Sequence, residues 1–332
     1  MTTLNTDEMS RRFREAGADI PNSRLLITSF PGTDQEADLT EPPNCGGLGR
    51  IRHFKRVRSA NWPENPLPID PAAAFLGVGA GAELRAQVFQ NAVCNWRCWY
   101  CFVPFDLLRA NREHSAMVSC GDLLNAYQAE ENPPPVIDLT GGQPDLIPEW
   151  VPWMMAELRQ RELEGRVFLW SDDNLSNDYL WRFLSDDHRR LMASFSGYGR
   201  VACFKGYDAN SFIFNTLAEP ELFDQQFDLA RRLLTLGVDT YFYATFTSAD
   251  ISSLDSDMPR FVDRLQAVHP NLPLRLVPLE IQLFTPVHAR VRELQRRALD
   301  NQYRVVESWT TELDRLFPAS QRSLSISSVS LR

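Results

Sequence analysis

The chain has 332 residues, 43 acidic side chains against 34 Lys and Arg, a net charge of −9 and a pI near 5.2. That balance weighs against a nucleic-acid groove as the main surface, since such grooves are normally basic. The sequence has no run of about 18 apolar residues of the kind that crosses a bilayer, and Met1–Asp19 lacks the apolar core of a signal peptide. We therefore expect a cytoplasmic chain with reduced thiols and no membrane partner. The length allows one or two domains, and a single α/β barrel commonly fills most of it.

In chain order, Ser10–Ala16 reads as a short helix and Pro31–Gly49, rich in Pro, Gly, Asn and Asp, as loop. Within it Asn44-Cys45-Gly46-Gly47-Leu48-Gly49 reads as a turn rather than a phosphate cradle, because no strand–helix pattern frames it. Arg50–Arg58 carries five cationic side chains. It reads either as a solvated face around Ile51, Phe54 and Val57, or as a docking patch for an acidic electron donor or an anionic substrate. Pro63–Pro71 reads as a linker. From Leu84 short apolar runs alternate with helical stretches. Strands are expected over Leu84–Gln90, Val136–Thr140, Arg166–Ser171, Arg200–Phe204, Thr240–Thr245 and Leu274–Glu280. Ser119 with Asp122 forms a capping box; Pro148 and Pro220 mark helix starts, Ser176 a cap, Pro259 another start, and Gly237 a stop. Beyond Val287 the pattern predicts an Arg-rich amphipathic helix, a second short helix around Trp309–Leu316, and a Ser-rich tail that frays.

Six strand–helix alternations point to parallel strands with right-handed crossovers. Periodicity does not distinguish an open sheet from a barrel. We divide the chain into an N-terminal extension (1–83), a core (84–285) and a C-terminal helical extension (286–332).

The densest chemistry is Cys94-Asn95-Trp96-Arg97-Cys98-Trp99-Tyr100-Cys101, three of the six cysteines spaced C-x3-C-x2-C. Three thiolates on one loop can hold three irons of a [4Fe–4S] cube and leave the fourth open. A zinc ion would want a fourth Cys or His nearby, and the next histidine is His114.

This loop, with Tyr100 just before the third cysteine, resembles the signature of the radical S-adenosylmethionine (SAM) superfamily. The resemblance implies a partial (β/α)6 barrel, a [4Fe–4S] cluster on Cys94, Cys98 and Cys101, and SAM bound at the open iron, with Tyr100 in the cofactor-binding set. It implies cleavage of SAM to a 5′-deoxyadenosyl radical that takes a hydrogen atom from substrate. It further implies an electron donor of flavodoxin or ferredoxin type. Thr140-Gly141-Gly142-Gln143-Pro144 is similar to the superfamily's Gly-Gly-Glu-Pro stretch, where backbone carbonyls receive the SAM amino group; Gln143 replaces the Glu and drops its charge. Trp170-Ser171-Asp172-Asp173-Asn174 resembles a strand end of the activating enzymes of glycyl-radical proteins, which would turn Asp172 and Asn174 to SAM or its ribose. Without that comparison Asp173 and Asn174 read equally as a turn. Cys203-Phe204-Lys205-Gly206 resembles their Asp-x-Lys strand end, with Cys203 in place of the Asp.

Lys205 and Lys55 are the only lysines among the 34 cations. Where arginine is so strongly preferred, a retained lysine suits a compact point charge, and Lys205 is expected to touch SAM or substrate. Cys45, Cys120 and Cys203 read as buried, inert thiols. Glu280 and Gln282 read as substrate contacts or simply as a polar strand end. The reading is a radical SAM enzyme acting on a small molecule or peptide. The alternatives are an activating enzyme for a glycyl-radical partner, or a non-catalytic, metal-stabilised binding protein.

Overall fold

Strands buried on both faces need apolar side chains at successive positions, and the β-branched and aromatic runs of this chain supply them. In the computed structural model, which describes residues 3–331, ten strands follow in order. They are β1 (Ala18–Asp19), β2 (Arg24–Thr28), β3 (Gly49–Lys55), β4 (Glu83–Gln90), β5 (Ser115–Ser119), β6 (Val136–Thr140), β7 (Phe168–Asp173), β8 (Tyr198–Phe204), β9 (Thr240–Thr245) and β10 (Leu276–Leu279). Seven form one curled sheet in the order β10-β9-β8-β7-β6-β4-β3. Six of these run parallel, and β3 pairs antiparallel with β4 at one edge. The sheet is a half-barrel with helices on its convex side, the partial α/β barrel expected. A separate antiparallel sheet joins β1, β2 and β5.

Alternation along each strand sorts residues between two cores. Phe54, Ala86, Val136, Phe168, Trp170, Val201, Tyr241 and Val277 meet on the concave side. Their neighbours Ile137, Leu139, Leu169, Ala202, Phe204 and Phe242 face the helices. There Leu222–Leu236 and Leu254–Val268 lay Phe227 and Phe261 against Phe204, with ring centroids 4.9 and 5.9 Å away. The open side of the half-barrel, between β3 and β10, is bridged by residues 56–68. Trp62 Nε1 donates to the Pro278 carbonyl (3.2 Å), and Asn65 pairs with the Tyr243 hydroxyl (3.0 Å).

Several local expectations change. Arg50 and Arg52 do not form a solvated face or an exposed docking patch: β3 turns both into the barrel beside Phe54, and Arg50 is buried. Ser176 caps no helix; its hydroxyl is engaged by Asn95, and the helix starts at Tyr179. Pro259 does not open its helix but lies inside Leu254–Val268, where it removes only the bond to the Asp255 carbonyl. The C-terminal segment is one 24-residue helix, Glu293–Leu316, rather than two pieces. The Ser-rich tail is held in place: Arg275 Nε donates to the Val329 carbonyl (2.7 Å), and Ile326 is buried in the concave core. Among the described residues no helix is long and apolar enough to cross a membrane.

A candidate active site at the barrel mouth

The carboxyl ends of parallel strands converge at one mouth, where loops rather than sheet decide the chemistry. The Cys94–Cys101 loop leaves the end of β4 and is fixed by its own intervening residues. Asn95 Nδ2 donates to the hydroxyls of Ser10 (2.9 Å) and Ser176 (2.8 Å). Trp96 Nε1 donates to Thr6 (3.1 Å), and Trp99 Nε1 to Asn215 Oδ1 (3.0 Å). Two guanidinium groups hold loop carbonyls. Arg97 Nη1 donates to Cys94 O (2.7 Å), and Arg290 Nη1 to Cys101 O (2.6 Å). With every other residue anchored, the three cysteines are presented together.

None of the three is in a disulfide; Cys94 is buried, and Cys98 and Cys101 are half-buried. Burial pushes the Cys98 thiol up to about 12, helped by the nearby Cys94 and Cys101 and opposed by the Lys205 ammonium. Cys94 and Cys101 are also raised, again mainly by burial. Burial alone would lower Lys205, but the facing Cys203 and Cys98 sulfurs raise it overall. The charge of Lys205 thus reaches all three sulfurs.

Among the described residues, no three His, Cys, Asp or Glu side chains gather as the ligands of a single ion would. A cubane makes a different demand, one thiolate per iron, so its ligands stand further apart than those of one zinc. Three free thiols within eight residues of a pinned loop suit that demand.

The Gly-Gly turn packs directly under the loop. Gly141 has φ +72° and Gly142 φ +56°. A Cβ on Gly142 would stand 2.0 Å from the Val93 carbonyl oxygen, and one on Gly141 2.3 Å from Gln90 Cγ. Only glycine permits this approach. The Gln143 side chain is consumed internally: Nε2 donates to Asp173 Oδ1 (2.8 Å), and Oε1 accepts from the Asn174 amide (3.0 Å). Asp173 also meets Arg200 (3.0 Å), which pairs with Asp145 too, so this layer holds the strand ends from outside. The buried Asn174 reaches Cys94 Sγ with Nδ2 at 3.9 Å, while its Oδ1 has no partner. Asp172 faces inward and accepts from the Thr140 hydroxyl; burial raises its carboxyl. The Tyr100 hydroxyl meets Thr245 Oγ1 (3.1 Å). Thus Cys94, Cys98, Cys101, Lys205, Asn174 and Tyr100 surround the mouth and Asp172 lies below it, while Gln143 braces it from behind. Gln282 donates to Glu280 (3.0 Å) at the end of β10.

Some participants were not picked out in the sequence. Asn215 and Gln226 sit on helices yet stitch the mouth: Asn215 Nδ2 donates to Lys205 O (2.9 Å), and Gln226 Nε2 to Asn174 O (2.9 Å) and Cys203 O (3.0 Å). For Gln226 the signal was an amide within an otherwise apolar helix face; Asn215 shares its buried face with Ser211 and Thr216 and carried no such signal. Asp138, fully buried on β6, has neither carboxylate oxygen hydrogen-bonded; a lone Asp inside an apolar strand was its signal.

No protein-family model matches the chain, and no curated protein does. Among solved structures it resembles Streptococcus suis SuiB bound to S-adenosylmethionine, with TM-score 0.44 and 15% identity over 68% of this chain and 46% of that one. It also resembles SuiB bound to the precursor peptide SuiA, with TM-score 0.37 and 17% identity over 55% of this chain and 36% of that one. The chain thus spans between about a third and a half of these proteins' length. Similarity this loose carries no function from one chain to the other.

Proposed function

We propose that the chain is a radical SAM enzyme, with Cys94, Cys98 and Cys101 as ligands of a [4Fe–4S] cluster. Gly141, Gly142, Gln143, Tyr100, Asp172 and Asn174 would seat SAM, with Lys205 beside it. The observation that carries this reading is the presence of three free thiols on one pinned loop at the end of the first parallel strand, within the electrostatic reach of Lys205. When bound, the cluster and SAM would supply one-electron cleavage of SAM and removal of a hydrogen atom from a substrate C–H bond.

The chain's own residues have definable tasks. Buried thiols with raised pKa do not ionise unaided near neutral pH, so ligation must displace their protons, and the Lys205 ammonium favours the thiolate forms. Asn174 Nδ2 points a hydrogen-bond donor at Cys94. Trp96 and Trp99 keep bulk water from the loop. The half-barrel interior would receive a small molecule or a peptide, and electrons would come from a flavodoxin- or ferredoxin-type protein.

The test is anaerobic reconstitution with iron and sulfide, then dithionite and SAM. About four irons per chain, absorbance near 400 nm and release of 5′-deoxyadenosine are the expected result. Cys98→Ala should abolish the absorbance and the nucleoside together. A protein that holds zinc, builds no cluster and releases no nucleoside would overturn the proposal in favour of a metal-stabilised binding protein.

A further inference from the structure

Deeper in the half-barrel lies a second constellation that the cluster and SAM do not account for. Arg50 on β3, Val88 on β4 and Asp138 on β6 occupy one register row, Arg50 opposite Val88 and Val88 opposite Asp138. All three face inward. Neighbouring strands lie about 4.8 Å apart, so the outer two Cα atoms are roughly 9–10 Å apart with only a small valine between them. Arg50 is 7% exposed, and its Nε and Nη2 have no hydrogen-bond partner. Asp138 is 0% exposed, and both its carboxylate oxygens lack one. Arg52 approaches Asp138 only to 3.8 Å, an ion-pair separation too long for a hydrogen bond. Arg50 also lies 5.5 Å from the centroid of Phe102, the residue after Cys101, which sets it beside the cluster loop.

Buried charges without hydrogen bonds are costly and are not retained for stability. Nε–H and Nη2–H form one edge of a guanidinium, the fork that grips a carboxylate side-on through two parallel bonds. Asp138, two strands over in the same row, has no donor. A dianionic phosphate suits this row poorly, because the inward-facing Asp138 and Asp172 carboxyls both act on Arg50.

We propose that this row reads the head group of the substrate: a carboxylate on the Nε/Nη2 edge of Arg50, with a hydroxyl or N–H donor on the neighbouring carbon meeting Asp138. The substrate class is then a 2-hydroxy acid, a 2-amino acid, or the carboxyl-terminal residue of a peptide. This rests on the radical SAM reading for its role as a substrate site, but binding itself can be measured without the cluster.

The experiment is a ligand-observed NMR titration of the full chain, metal-free and cluster-loaded. The probes are L-lactate, L-alanine and N-acetyl-L-alanine, each against its neutral amide. The acids should bind saturably to both forms and the amides should not. Arg50→Gln should weaken the acids at least tenfold with an unchanged melting temperature, and Arg50→Lys, which keeps the charge and loses the fork, should weaken them too. Asp138→Asn should weaken alanine more than lactate. A preference for N-acetyl-L-alanine would mark a peptide end, and a preference for the free acids a small metabolite. Equal binding of acids and amides, or acid binding indifferent to Arg50→Gln, would overturn the inference. So would a tenfold loss of SAM affinity in cluster-loaded Arg50→Gln together with competition between SAM and the acids, since the site would then belong to SAM. A chain that binds the acids but builds no cluster overturns the radical SAM reading alone. One that cleaves SAM but does not discriminate acid from amide overturns this inference alone.

Discussion

His53, on the outward side of β3, stands between Glu83 of β4 and Glu41 of the preceding loop, its two ring nitrogens each facing one carboxylate. The Glu83 bond, then Glu41, raise the imidazolium above its ordinary 6.5, and His53 holds both carboxyls below their ordinary 4.5. The signs follow from linkage. The raised histidine contributes stability that is full below pH 6.5 and is lost as pH climbs through its folded value. The depressed carboxyls contribute above pH 4.5 and lose it on acidification. Melting temperatures of wild type and His53→Gln should therefore differ most between about pH 4.5 and 6.5 and converge on either side; a constant difference across pH 4–9 would remove the ion pairs from the account. At this scale the sequence was informative about type and poor about direction. It located the Arg50–Arg58 charges, but Arg-x-Arg-x-Phe fits a two-residue alternation as well as a solvated face. Only pairing with β4 shows that the guanidinium groups point inward.

The Gly-Gly turn and the cysteine loop form one packed element rather than two independent motifs. Gly142→Ala forces a Cβ onto the Val93 carbonyl at a left-handed φ, and no rotamer change relieves a clash with backbone. The cost should be at least about 2 kcal/mol, from αL strain plus displaced backbone. Because Val93 immediately precedes Cys94, iron uptake should fall along with the melting temperature. Calorimetry and iron counting on the same sample check both, and an alanine variant with normal iron would detach the turn from the loop. Strand cores and caps with local chemistry were legible in sequence. Val136–Thr140 and Thr240–Thr245 match their expected bounds, and Ser119 with Asp122 forms its capping box. The misread elements were those whose partners lie far along the chain. Ser176 looks like a cap until Asn95, 81 residues earlier, claims its hydroxyl. Pro259 looks like a start because sequence alone does not show that five residues before it are already helical.

As a whole, the molecule closes its half-barrel with segments from both chain ends. Strand β3 extends the sheet from the N-terminal side, while the tail seals the base, where Ile326 joins Phe54, Val136 and Tyr241. Ile326→Ala should cost about 2–4 kcal/mol by emptying a core position. It should lower the urea midpoint without altering cluster content, since the base lies at the opposite end from the mouth. Loss of both would mean that base and mouth unfold as a unit. Neither closing segment could be assigned from periodicity: seven residues of β3 and a short tail carry too little pattern to show which surface they cover.

The scarcity of lysine has a practical side. Lys55 is exposed and ends β3 opposite the first residue of β4, at the base, whereas Lys205 is half-buried at the mouth. The chain's two ε-amines thus stand at opposite poles of the barrel. An amine-acylating reagent followed by peptide mapping would compare them within one sample. Label at Lys55 should stay constant, and label at Lys205 should drop as the mouth fills, giving an occupancy gauge with its own reference built into the polypeptide.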